Sequence, residues 1–93
     1  MKEIEFEEID YREEFAKVAD HWAGLMPMML MEECGELIQA VSKNERKHTV
    51  ATQDAVLAEM ADVCISIGAV MAQMGLDPLD LAEAMDRKLN KKY

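Results

Sequence analysis

Residues 49–75 read TVATQDAVLAEMADVCISIGAVMAQMG. Val56, Leu57, Met60, Val63, Cys64, Ile67, Val70 and Met71 cover nearly every side of a 3.6-residue period, no Pro interrupts them, and Gly75 supplies a stop. The stretch predicts one helix that starts between Thr49 and Thr52 and ends at Met74. A helix coated with apolar groups on so many sides lies in the middle of a structure, so its neighbours in sequence must wrap it.

Downstream, Asp77 and Pro78 offer an N-cap and a first-turn proline for a last helix whose Leu79, Leu81, Ala82, Met85 and Leu89 are expected to pack inward, before a basic end. Upstream, the polar run Lys43, Asn44, Glu45, Arg46, Lys47, His48 reads as a turn, preceded by a helix from Pro27 to about Ser42. Earlier still, Asp10 and Glu13 have the spacing of a capping box that opens a helix over 10–23. Ile9, Phe15, Val18, Ala19 and Trp22 form its apolar stripe, and Gly24 ends it. The β-branched residues do not alternate. The expectation is an all-α fold: a single domain over 1–93, built as a four-helix bundle-like protomer around a central antiparallel hairpin.

The chain has 93 residues, 51% of them hydrophobic, with 10 Lys and Arg against 19 Asp and Glu for a net charge of −9. A chain this short buries only ~60 to 70% of the surface it exposes when unfolded, so this apolar content predicts an oligomer. A polyanion repels nucleic-acid polymers and anionic membrane surfaces, and no basic stripe with interleaved aromatics offsets that. The longest weakly polar stretch, Val63 to Ala72, falls short of the ~18 residues a membrane span needs, and the acidic MKEIEFEEID is unlike a secretory signal. A cytoplasmic protein is expected. Cys34 and Cys64 lack CxxC spacing and read as small buried hydrophobes.

Against this background five acids stand out: Glu32, Glu33 and Glu36 in the second helix, and Glu59 and Asp62 in the most apolar part of the third. Positions three apart share a helix face, with Cβ atoms ~5 to 6 Å apart, so Glu33 with Glu36, and Glu59 with Asp62, form paired-acid patches. In an antiparallel hairpin, facing residues share a constant index sum. Glu33 with Asp62 and Glu36 with Glu59 share the same one, centred between Lys47 and His48 in the polar turn. Four carboxylates therefore converge between two helices.

No Lys or Arg occurs from Val18 to Ser42 or from His48 to Asp86, so neither helix supplies a neutralising cation. Converging, partly buried carboxylates repel one another and resist ionisation. A divalent metal resolves the conflict, and oxygen-only ligands suit a hard ion, Mg²⁺ or Mn²⁺. A carboxylate-bridged di-iron bundle would need Glu-x-x-His pairs, which neither His21 nor His48 provides. Gly24, Gly35, Gly68 and Gly75 are isolated, which excludes a Walker-type phosphate loop.

The segments Glu32-Glu33-Cys34-Gly35-Glu36-Leu37 and Glu59-Met60-Ala61-Asp62-Val63 resemble the EExxE and ExxD signatures of the MazG-like, all-α nucleoside triphosphate pyrophosphohydrolases. The tail Lys88-Leu89-Asn90-Lys91-Lys92-Tyr93 is similar to that family's basic, Asn-containing C-terminal motif, and the likeness runs over roughly Met28 to Tyr93. The resemblance implies Mg²⁺-dependent cleavage of a nucleoside triphosphate to the monophosphate and pyrophosphate, in a helical homodimer or homotetramer whose sites lie near subunit contacts. It implies Glu33, Glu36, Glu59 and Asp62 as metal ligands, and Glu32 as a group that orients a ligand or the attacking water.

The tail is also the candidate clamp for phosphates, with Lys88, Asn90 and Lys91 foremost. Arg87, Lys88, Lys91 and Lys92 leave −13 on the rest of the chain. Positive charge at a helix C-terminus is an equally ordinary use of these residues. Trp22, beside His21 and ahead of Met26, Met28, Met29 and Met31, is the candidate wall for a nucleobase, against the alternative that it belongs to the core. Three rival readings remain: a non-catalytic nucleotide- or metal-binding regulatory module, a phosphoribosyl-ATP pyrophosphohydrolase, and a plain helical oligomerisation domain.

Overall fold

A computed structural model describes residues 10–92. Its order is α1 (Arg12–His21), α2 (Met26–Lys47), α3 (Val50–Met74) and α4 (Pro78–Lys92), with no strand among the described residues. Ile9 and Tyr93, which the sequence reading placed in the first stripe and the last motif, lie outside the described residues.

The central hairpin forms as expected. α2 opens with Pro27 in its first turn and α3 packs along it, while α1 lies against α3 from another side. Gly75, at φ +71°, ends α3 in the left-handed region that a glycine enters without steric cost. Asp77 caps α4, its Oδ1 accepting from the Leu79 amide at 2.9 Å while its own amide donates to Asp80 at 2.8 Å.

The α2–α3 turn is tighter than its composition predicts. Residues 43–47 stay helical, because nothing in that polar run opposes helix; the stop comes from His48, which turns left-handed at φ 47°. Thr49 and Thr52 then form a reciprocal capping box, and the buried Thr52 hydroxyl also donates to Asn44 Oδ1 at 2.8 Å, tying the last turn of α2 to the first of α3.

The start of α1 corrects a second expectation. Asp10 and Glu13 do not make a capping box, and the helix begins at Arg12 without a side-chain cap. Asp10 is instead held by Arg12, which donates to it from the backbone amide (3.0 Å), Nε (3.0 Å) and Nη2 (2.9 Å), and reaches Asp77 with Nη1 at 3.1 Å. A guanidinium fork outcompetes a lone helix amide for the same carboxylate. Phe15 of α1 lies on Gly68 of α3, where a Cβ would stand 2.6 Å from the ring.

The core is small: Ala19, Met26 and Ala69, edged by Val18, Met29, Val70 and Ala72. α4 does not join it. The helix makes only marginal contact with the other three, and Leu79, Leu81, Met85 and Leu89 are exposed where inward packing was expected. Periodicity identifies an apolar face; it does not supply the surface that covers it. Nor is the bundle closed around α3, since Leu57 is 66% and Met60 48% exposed. Of the two cysteines expected to be buried, Cys34 is half-buried and Cys64 exposed. The apolar reach of α3 also exceeds the Val63–Ala72 stretch: by length and composition alone the helix is long and apolar enough to cross a membrane.

Candidate metal centre

Glu33 and Glu36 lie one turn apart on the face of α2 that packs on α3, and Glu59 and Asp62 lie one turn apart on the answering face. One carboxylate oxygen from each of Glu33, Glu59 and Asp62 falls within 4.8 Å of the other two. Glu36 stands close enough to raise the pKa of both Glu33 and Glu59 through its charge. The hairpin register read from the sequence thus brings both pairs together, three acids tightly and the fourth beside them.

Burial puts the cluster under electrostatic stress. Oε2 of Glu33 and Oε2 of Glu59 are both buried without any hydrogen-bond partner. Loss of solvent raises the Glu33 pKa above the ordinary carboxylate range, with further upward pushes from Glu36, Asp62, Glu59 and Glu32. Glu59 rises for the same first reason, then through the charges of Glu36 and Asp62. Among the described residues the ion pairs are Arg12 with Asp10 and Asp77, and Lys17 with Glu13, so none relieves the cluster.

Two orphaned carboxylate oxygens in an all-oxygen donor set fit a hard divalent cation. Three carboxylate oxygens within 4.8 Å of one another stand near the separation at which a single such ion would be held by all of them. Mn²⁺ takes the same donors.

The backbone around the site is well fixed. Ser66, one turn beyond Asp62, is fully buried and donates its hydroxyl to the Asp62 carbonyl at 3.0 Å, so it consumes its own hydrogen-bonding capacity within α3. Thr52 and Asn44 lock the turn, and with it the level at which the acids face each other.

The remaining candidates lie apart. Glu32 is exposed beside Glu33, near enough for its charge to be felt there. Trp22 sits at the end of α1, 38% exposed and edge-on to His21 with ring centroids 5.4 Å apart, and it lines neither of two apolar cavities that flank Phe15. Lys88, Asn90 and Lys91 are exposed on α4 and are not brought to the carboxylates. Those two cavities escaped the sequence reading. Their signal on α3 was the three- and four-residue spacing of Ala61, Cys64, Gly68 and Met71, small residues among larger apolar ones.

The fold and the site together define an all-helical protein with an acidic, cation-ready cluster between antiparallel helices. The chain belongs to the MazG family: the MazG nucleotide pyrophosphohydrolase domain matches residues 24–93, from the turn between α1 and α2 through both acid pairs and α4. That makes it a member of a family of hydrolases acting on phosphoric anhydrides. No curated protein and no solved structure matches the chain significantly.

Proposed function

We propose that this protein is a metal-dependent nucleoside triphosphate pyrophosphohydrolase, forming a nucleoside monophosphate and pyrophosphate, and that it serves in the cytoplasm to clear unwanted nucleotides from the pool. The observation that carries the reading is the convergence of Glu33, Glu59 and Asp62 with two buried, partnerless oxygens, inside a chain of the MazG family. The family's general dependence on a metal supports it.

Glu33, Glu36, Glu59 and Asp62 hold Mg²⁺, or Mn²⁺ in its place. Bound there, the ion would supply positive charge for the phosphate oxygens and make water more acidic. In the reaction a water oxygen bonds to the α-phosphorus and gives up a proton to solvent, while the bond to the α–β bridging oxygen breaks, the electron pair leaving on pyrophosphate. Glu32, exposed at the rim, accepts a hydrogen bond from the attacking water and orients it. Positioning and charge stabilisation account for most of the rate in such transfers, which suits a rigid hairpin.

Lys88, Asn90 and Lys91 receive the phosphates, and because α4 is not packed into the core, this needs α4 to close over the hairpin or to reach a neighbouring copy. Trp22 offers a flat surface to the base. The protein works as a homodimer or homotetramer, neither nucleic acid nor membrane being a partner. Within α3, Glu59 and Asp62 would be costly in lipid.

Pyrophosphate release measured across the ribo- and deoxyribonucleoside triphosphates, with and without Mg²⁺ or Mn²⁺, tests the reading. Metal-dependent release by the wild type and none by Glu36→Gln is expected. Nucleotide binding without release from any of them would favour the regulatory module instead, and turnover of phosphoribosyl-ATP alone would favour that narrower hydrolase.

A further inference from the structure

α4 leaves the body of the protein at a corner that is thinly held. Gly75 ends α3, Asp77 and Pro78 open α4, and only Leu76 lies between, so a few dihedral angles decide the direction of the last helix. Among the described residues, one polar side-chain contact ties this corner to another helix: Arg12, in the first turn of α1, donates from Nη1 to Asp77 Oδ2 at 3.1 Å. The other oxygen of the same carboxylate caps α4 by accepting from the Leu79 amide at 2.9 Å. One carboxylate is thus shared between a guanidinium and the start of a helix. Arg12 does not swing freely, because its backbone amide, Nε and Nη2 are all engaged by Asp10.

Packing does not choose the direction of α4. Helices that are set by packing interdigitate with few voids, whereas the first turn of α4 faces an apolar cavity of about 370 Å³ bounded by Arg12, Phe15, Gly68, Leu76, Pro78 and Leu81. The helix otherwise makes only marginal contact with the rest of the chain. It therefore has room to tilt and little besides Arg12 to stop it. Both partners of the ion pair are largely exposed, Arg12 by 61% and Asp77 by 46%, so the pair adds little to overall stability. Its leverage is geometric. Lys88 lies ten residues beyond Pro78, ~15 Å along the helix axis, and a tilt of about 15° at the first turn displaces it by about 4 Å, enough to lose a hydrogen bond.

We infer that Arg12 is a positioning residue: through Asp77 it sets the direction of α4, and with it the place of Lys88, Asn90 and Lys91. The inference rests on the reading of those three residues as the phosphate-binding group and deepens it, by naming what holds them at the end of a helix that the core does not hold. Arg12 touches no substrate; it acts through the carboxylate that caps α4.

Distances within the full chain test the structural half without reference to activity. Spin labels at Gln39→Cys on α2 and Glu83→Cys on α4, both exposed positions, in a Cys34→Ala, Cys64→Ala background and diluted with unlabelled chain, report how α4 stands on the hairpin. A narrow distance distribution is expected, and Arg12→Gln is expected to broaden it while circular dichroism stays the same. For the functional half, Arg12→Gln is expected to raise KM for a turned-over nucleoside triphosphate about threefold with kcat nearly unchanged, as when a contact made equally in ground and transition states is loosened; an exposed pair transmits no more than about fivefold. Asp77→Asn keeps the cap, since Asn caps as well as Asp, and is expected to raise KM equally, with no further rise when both changes are combined. Glu13→Gln, which breaks the similarly exposed pair with Lys17 inside α1, is expected to change neither distances nor KM. An unchanged distance distribution in Arg12→Gln, an unchanged KM despite a broadened one, or additive effects of Arg12→Gln and Asp77→Asn would overturn the inference and leave the hydrolase standing. A wild type that turns over no nucleotide would sink the hydrolase, and the distances alone would then decide whether Arg12 directs α4.

Discussion

The two faces of α3 invert the usual order of a soluble helix. The side against α2 holds the half-buried Glu59 and the exposed Asp62 together with the buried Thr52 and Ser66; the side that looks outward holds Val50, Leu57 and Cys64. Ordinary amphipathic helices bury their apolar stripe and expose their charges. Here the charged face is destabilised by what it buries and the apolar face by what it exposes. Each therefore calls for something the single chain does not provide, a cation on one side and a surface on the other.

That contrast can be broken most sharply on the charged side. Glu59→Gln or Asp62→Asn is expected to lower metal-dependent pyrophosphate release by roughly a thousandfold or more, the several kcal/mol that a correctly held cation contributes to such a transition state. Far-UV circular dichroism should stay unchanged, which separates lost chemistry from lost fold.

On the opposite side, Gly68→Ala puts a methyl group 2.6 Å from the Phe15 ring, at atoms too near the α1 backbone to swing clear. Overpacking of this kind costs about 1 to 3 kcal/mol, and urea unfolding is expected to register it. A pocket that absorbed the methyl with no shift in midpoint would mean that α1 sits only loosely on α3.

Subtler is the pH response of the metal-free protein. Because the folded-state pKa values of Glu33 and Glu59 are raised, the unfolded chain ionises first as pH climbs, and the stability these groups contribute falls from about pH 4.5 upward until their folded-state pKa values are passed. Glu59→Gln removes one such group. The variant is expected to match the wild type near pH 4, to exceed it progressively towards neutrality in a chelator, and to lose that advantage when Mn²⁺ is added, all readable as thermal midpoints. A wild type that gains on Glu59→Gln as pH rises without metal would contradict the buried-charge account.

The smallest effect belongs to the Asp10–Arg12–Asp77 clasp. Hydrogen bonds from Arg12 hold Asp10 down to a pKa of about 2. Its contribution is thus complete above the ordinary value of 3.8 and lost as pH falls from there towards 2. Both partners are largely exposed, so Asp10→Ala should leave the global midpoint nearly untouched at neutral pH. Amide exchange in the first turn of α1 is where the loss would be seen.

Most of this architecture is legible in the sequence because it rests on local chemistry. Pro27, Gly75 and Asp77-Pro78 set ends through dihedral and capping preferences, and the acid spacing set the hairpin register through helical geometry. The misreadings arose where two local preferences competed or where a distant partner decided. Asp10 could cap a helix or meet Arg12, and only the reach of Arg12 to Asp77, sixty-five positions away, settles it. Residues 43–47 were compatible with turn or helix until His48 took the left-handed conformation. The apolar side of α4 was readable; the absence of a neighbour to receive it was not, because periodicity contains no information about what lies opposite. At the centre itself, the convergence of carboxylates followed from spacing, whereas the location of Trp22, Lys88 and Asn90 relative to it depends on two corners that spacing does not describe.

The two-residue corner at His48 and Thr49 finally acts as a ruler. With so little slack between Lys47 and Val50, a single inserted or deleted residue there cannot be looped out. It would advance one helix by ~1.5 Å and rotate it by about 100° against the other, carrying one acid pair away from its mate. Length can change harmlessly only when both helices grow together by whole turns, about seven residues at a time. Descendants of this gene are therefore expected to tolerate insertions freely between α1 and α2, and at the hairpin only in steps of that quantum.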